Sequence, residues 1–206
     1  MRSGRSAAAV LCGLGIAGLA AAGCTATADA PSPAAGATSP ASASHPSSPA
    51  TRPSPAVSYR PVNALCTRLD LRTVADLVGQ VGAPQGRSRT SGNSANLACA
   101  VTVGRLPDGV VVTVRADIGA PDSGRLMYEG LRQAQEASGP VTELTGLGAA
   151  AYTYTDKATG VTVVTYDANL YLTLTATPLR LGADLPGDLT AGLSAAAASA
   201  LTALRA

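Results

Sequence analysis

Four cysteines, one histidine and a scatter of carboxylates are the side chains of this 206-residue chain best suited to bond-making or metal chemistry. His45 is the sole imidazole and lies in a Pro/Ser/Ala stretch, so the C-terminal part cannot build a Ser-His-Asp triad or a His-ligated metal centre. Asp108, Asp117, Asp122, Glu143, Asp156 and Asp167 leave a carboxylate-dependent hydrolase open, yet their spacing matches neither a paired-acid nor a calcium-loop pattern. Turn and cap duty is their ordinary explanation. Gly13-Leu14-Gly15-Ile16-Ala17-Gly18 matches a dinucleotide fingerprint but falls in an apolar leader, and Gly146-Leu147-Gly148-Ala149-Ala150-Ala151, with Asp167 downstream, leads into a strand pattern instead of a helix. Residues 82–88 have neither the spacing nor the Lys of a phosphate-binding loop. No catalytic, cofactor-binding or metal-binding residue is assigned, and no cofactor is expected.

The cysteines sort by position along the chain. Arg2 and Arg5 precede an Ala/Gly/Leu/Val/Ile run over residues 6–23, the charge-then-apolar-then-small layout of a secretory signal. As a permanent span it is poor, because Ala and Gly contribute little apolar area and the length is at the lower edge of the roughly 17 to 25 residues a bilayer needs. Its ending, Ala21-Ala22-Gly23-Cys24, resembles the lipobox of lipoprotein signal peptidases, departing from it only in Ala21, where Leu is commoner. That resemblance implies a signal peptide over residues 1–23 and a diacylglycerol thioether on Cys24. Two acyl chains hold durably where one binds reversibly, since each buried methylene contributes about 0.8 kcal/mol. A competing small-x-small site at Ala26-Thr27-Ala28 would discard Cys24 and release the protein.

Residues 24–56 read as a lipidated Cys followed by an Ala/Ser/Pro-rich tether, with seven prolines between Pro31 and Pro55 and almost nothing large and apolar. Such a stretch cannot bury a core; it spans about 30 Å as a coil and roughly 100 Å fully extended. Residues 57–206, about 150, suffice for one domain that buries roughly two-thirds of its unfolded surface. Twelve basic residues there balance twelve acidic ones, so neither nucleic acid nor anionic lipid is an expected partner of the domain itself. With Cys12 in the leader and Cys24 lipidated, Cys66 and Cys99 are the only exported pair. In an oxidising compartment a disulfide is the default reading; two unpaired buried thiols are the alternative.

Periodicity predicts the elements that would carry these residues. Asp70 caps a helix with apolar positions Leu71, Val74, Ala75 and Val78, ended by Gly79. Residues 79–95, rich in Gly, Ser and Asn, read as loop. Alternation over 97–103 and 110–118 gives a hairpin around Pro107-Asp108-Gly109, with Arg115 and Asp117 on its wetter face. A helix over 123–137 carries Met127, Leu131 and Ala134 on one side and Arg/Glu pairs on the solvated one. Strands follow at 149–155, 161–166 and 170–177, and Leu189, Leu193, Ala197, Ala200 and Leu204 mark a C-terminal helix. The outline is an α+β domain: an antiparallel sheet of about five strands, packed on one face by two or three helices, with one disulfide. A turn around Ala168-Asn169 sets Tyr166 opposite Tyr171 on the Thr-rich face, where they could form a contact patch or a routine cross-strand pair.

The lipobox, the Ala/Ser/Pro tether, Leu65-Cys66-Thr67 ahead of the first helix, Leu97-Ala98-Cys99 in the first strand, and Gly146-Leu147-Gly148-Ala149-Ala150 entering a Tyr/Val/Thr strand together resemble the small actinobacterial cell-envelope lipoproteins grouped as a domain of unknown function. The resemblance covers most of the chain and implies an α+β domain with one disulfide and no assigned activity. More distantly, the chain resembles extracytoplasmic sensor domains of receptor kinases, which implies ligand or partner sensing. The expectation is a lipoprotein anchored through Cys24 at the extracytoplasmic face of the cell membrane, with a non-enzymatic binding or sensor-like role towards an unknown ligand or envelope protein. A lipid or glycolipid carrier is the alternative and would need a large apolar cavity.

Overall fold

The computed structural model describes residues 57–206; the leader, Cys12, Cys24, the tether and His45 lie outside the described residues. A single-turn 3-10 helix (Leu65–Arg68) and α1 (Arg72–Val78) precede β1 (Gln85–Ser91), β2 (Ser94–Val103) and β3 (Val110–Ile118). Then come α2 (Ser123–Ser138), β4 (Thr142–Leu144), β5 (Ala150–Asp156), β6 (Gly160–Asp167), β7 (Leu170–Pro178) and α3 (Leu189–Leu204). The strands form one seven-stranded antiparallel sheet in the order β1-β2-β3-β7-β6-β5-β4.

The α+β class, the antiparallel sheet and the Cys66–Cys99 disulfide agree with the sequence reading; the strand number does not. Residues 79–95 contain β1, whose seven residues are all exposed, so it has no alternation of apolar and polar side chains to betray it. Pairing with β2 holds it, from Gln85 opposite Ala100 to Ser91 opposite Ser94. β4 is a three-residue edge strand against β5, too short for a periodic signal.

One face of the sheet carries the main core. Side chains alternating along β2, β3 and β7 (Leu97, Val101, Val112, Val114, Leu172 and Leu174 among them) pack with Val74 of α1 and with Leu189, Leu193, Ala197 and Leu204 of α3. The alanines of α3 are short enough to let the helix lie flat and close, and its burial replaces the apolar area they lack. Leu71, one residue after the expected Asp70, stands at the N-cap of α1, and Asp70 Oδ1 accepts from the Arg72 N–H at 3.1 Å; Gly79 ends the helix, donating to the Ala75 carbonyl.

The opposite face is covered too, which corrects the one-face expectation. Residues on that face of β5, β6 and β7 (Tyr152, Val164 and Tyr171) form a second buried cluster with Tyr128 of α2. The helix's buried stripe therefore runs through Gly124 and Tyr128, while Leu131 and Ala134, read as part of the apolar side, are exposed. The reason is close approach: a Cβ on Gly124 would stand 2.3 Å from the Leu170 carbonyl oxygen, so glycine lets the first turn of α2 rest on the backbone of β7.

The chain joins the domain at a polar knot. Tyr59, 2% exposed, donates its N–H to Asn169 Oδ1 at 2.9 Å and its hydroxyl to Asp167 Oδ2 at 2.5 Å. Asn169 Nδ2 donates in turn to the carbonyls of Tyr59 and Gly119. The Ala206 N–H donates to the Ser58 carbonyl at 3.0 Å, so both ends of the domain meet at the β6–β7 turn.

Candidate binding trough

Strand register decides what the second face presents. Across it, Arg87, Ala98, Arg115 and Thr173 stand opposite one another on β1, β2, β3 and β7, and the next row holds Arg89, Asn96, Asp117 and Tyr171. The following row in the other direction is Gln85, Ala100, Thr113 and Thr175. Because α2 packs mainly on β6 and β7 and only touches β3, the β1 and β2 side of this face is left without that helix above it among the described residues. Ala98 and Ala100 keep the middle of that bare half low, so a trough runs between the arginines of β1 and the flank of α2.

The flank is apolar and the floor is hydroxylic. Met127 and Leu131 of α2, with Thr113, Arg115, Tyr171, Thr173 and Thr175 beneath them, line an open hollow of about 490 Å³. A second hollow of about 350 Å³ shares Met127 and continues past Asn96, Asp117 and Ser123 towards Arg89. Both are open to solvent along their length. A few hydroxyls on a largely apolar concave surface are the usual make-up of a recognition site for an uncharged or amphiphilic group.

Charge on the floor is arranged locally. Arg115 Nε donates to Asp117 Oδ2 at 2.8 Å, and Asn96 Nδ2 also donates to the Asp117 carboxylate. This bond to the Asp117 carboxylate holds the Arg115 guanidinium still more firmly protonated. The Arg115 guanidinium balances the Asp117 charge and Asn96 adds a neutral donor, so the positive character of this face comes from β1. Arg87 and Arg89 form no ion pair among the described residues and are exposed.

The tyrosines singled out from sequence are placed as a cross-strand pair: Tyr166 stands opposite Tyr171, as a turn around Ala168-Asn169 predicts. Tyr171 is only 6% exposed, and burial pushes its hydroxyl pKa up. Tyr166 is half-buried, its ring 4.8 Å from that of Tyr128. The pair thus underlies α2, and only Tyr171 borders the trough. Cys66 and Cys99, with Cα atoms 5.4 Å apart, tie the 3-10 turn to β2 on the far side of the sheet. Cys24 lies outside the described residues.

The candidate carboxylates do not converge. Glu143 pairs with Arg132, Asp117 with Arg115, and Asp167 with Tyr59; Asp108 lies in the β2–β3 turn, and Asp122 occupies the N-cap position of α2 without a side-chain capping bond. Asp156 accepts from the Ala158 and Thr159 N–H groups in the β5–β6 turn, which lowers its pKa, and hydrogen bonds from Arg72 lower Asp70 to about 2. A general acid needs displacement the other way.

Sequence reasoning missed Arg87, Arg89, Ala98, Ala100 and Leu131 as surface-forming residues. The one available signal was Arg87-Ser88-Arg89, which places both arginines on one face if the segment is a strand. No protein-family model, curated protein or solved structure matches the chain.

Proposed function

We propose that the protein is a lipid-anchored, extracytoplasmic binding or sensor-like protein without catalytic role, and that its recognition surface is the trough between α2 and the bare half of the sheet. The observation that carries this reading is the asymmetric cover of the second face: α2 seals the aromatic cluster on β5–β7 and leaves a hydroxyl-floored, Leu/Met-walled channel beside it. The leader ending in Cys24 supports the location. A carrier would need an enclosed apolar cavity, whereas the hollows among the described residues are open grooves and the core below them is filled with side chains. A carboxylate hydrolase would need two converging acids, and the candidate acids here lie apart, with Asp117, Glu143, Asp156 and Asp167 each held by a local partner.

Hydrogen-exchange mass spectrometry of the full-length chain, with and without an extract of its own envelope, tests the site. Protection should appear together in β3 around Thr113, in β7 around Thr173 and in α2 around Leu131. Leu131→Arg should abolish it. Protection confined to other segments, or none, would refute the reading. For the location, Cys24→Ala should move the protein from the detergent phase to the aqueous phase; unchanged partitioning would count against the anchor.

A further inference from the structure

Outside the trough, β1 is the least explained element. It pairs with β2 along one edge only, all seven of its residues are exposed, and it ends the sheet. An open edge of this kind is a template for another strand unless it is guarded. Among the described residues β1 is neither bulged out of register nor covered by a helix along its outer edge: its pairing with β2 runs without interruption through seven consecutive positions. It is also held in place from below. A Cβ on Gly86 would stand 3.2 Å from Cys66 Sγ, so the missing side chain seats β1 on the disulfide.

The charges on β1 select what can pair with it. Arg87 and Arg89 point to the trough side, two residues apart, and no acidic side chain among the described residues bonds to either. A second copy of this chain adding antiparallel about Ser88 would set arginine against arginine, which is destabilising. A strand with acidic residues at alternate positions would set carboxylate against guanidinium at both sites, with main-chain bonds supplied by the open edge.

We propose that the open edge of β1 receives an acidic, extended polypeptide segment of another protein as an eighth strand, its alternate carboxylates pairing with Arg87 and Arg89. The inference extends the binding reading to the rim of the same face, and its test separates the two. The probe is a fluorescent peptide of about nine residues alternating glutamate and valine, measured by anisotropy against the full-length chain in detergent, beside the same peptide with lysine for glutamate. The glutamate peptide should bind and the lysine peptide should not. Arg87→Glu/Arg89→Glu should weaken the glutamate peptide by about tenfold or more and admit the lysine peptide, a gain that also shows the variant is folded. Arg87→Lys/Arg89→Lys should retain binding. N-methylating alternate amides of the probe, which keeps its charge and removes strand-pairing donors, should also weaken it at least about tenfold. Equal binding of both peptides, no binding of either, indifference to N-methylation, or a stronger preference of the same arginines for anionic vesicles or an oligonucleotide would overturn the proposal. Trough protection by envelope extract alongside peptide failure would leave the trough reading standing and this one refuted.

Discussion

Replacing either of two glycines of α2 by alanine should move stability in opposite directions. Gly130 lies mid-helix and exposed, and a Cβ there would meet nothing within 4 Å. Alanine at such a position gains roughly 0.8 to 1 kcal/mol from helix propensity. Gly124 is the second residue of the same helix, where the propensity gain is smaller, and a Cβ there would lie 2.3 Å from the Leu170 oxygen and 2.7 Å from its carbon. Reaching ordinary contact requires α2 to lift from β7 by about 1 Å, the kind of overpacking that costs about 1–3 kcal/mol. The backbone of β7 cannot yield, because both its edges are paired, to β3 and to β6. Gly124→Ala should therefore lose roughly 1–2 kcal/mol net, and the pair of variants should differ by about 2–3 kcal/mol. Urea unfolding with unchanged m-values measures the difference; thermal midpoints should separate by several degrees, at about 2–4 °C per kcal/mol for a domain of this size. If both variants stabilise the protein to the same extent, α2 does not rest on β7 as described, and the trough, whose wall is that helix, loses its basis.

The disulfide closes a loop with a sequence separation of 33, so Cys66→Ser/Cys99→Ser should lose about 3.7 kcal/mol on the chain-entropy relation, read by urea unfolding; a loss under about 1 kcal/mol would refute it. The wild-type domain should show no alkylatable thiol before reduction. Tyr128 has a buried hydroxyl with no hydrogen-bond partner among the described residues, Arg132 lying beside it without the geometry of a bond, so Tyr128→Phe should be neutral or stabilising. A loss above about 1.5 kcal/mol would mean that Arg132 bonds it after all. Burial, and then the bond to Asp167, push the Tyr59 hydroxyl up to about 12, so the folded state holds this proton more tightly than the unfolded one. The resulting stability is complete below the unfolded value near 10 and is lost as pH rises through about 12. Burial raises Tyr152 and Tyr171 as well, so the quantity to follow is the advantage of wild type over Tyr59→Phe. That advantage should be about 1.5–3 kcal/mol at neutral pH, because the acceptor is charged, and should shrink between pH 10 and 12. A constant difference would refute the assignment.

What the sequence disclosed follows from which residues alternate. β2, β3 and β7 alternate large aliphatics with Thr, Ala or Arg because one face meets α1 and α3, and that contrast is visible in any window of six residues. Tyr171 reads as a wet-face residue because Thr173 and Thr175 share its side of β7, yet α2 buries its ring together with that of Tyr152. Nothing local to a strand records that a helix from elsewhere lies on it. The same gap hid the trough. Its floor is Ala98, Ala100 and threonines, ordinary strand residues whose shallowness matters only once register brings them into adjacent rows. Leu131 looked like core because it follows Met127 at helical spacing; the Gly124–Tyr128 line won the buried position since only glycine allows contact with the β7 backbone. β1 was illegible for a different reason, as an exposed strand carries no hydrophobic period, and its evidence lies entirely in its partner.

The disulfide belongs to the surface as well as to the core. Cys99 projects to the side of β2 that faces α1 and α3, and the bond draws the 3-10 turn under the β1–β2 ribbon at the point where Gly86 has no side chain. β1 buries none of its residues, so hydrogen bonds to β2 and this seat are what keep it ordered. The proposed partner strand would gain from an edge that is rigid beforehand, since ordering it on binding would subtract from the affinity. Such a seat exists only where the thiols are oxidised. The proposed export through the leader and the proposed recognition edge on a cystine would both answer to the same compartment: in a reducing one the domain core would lose a loop constraint, and its outermost strand would lose its footing.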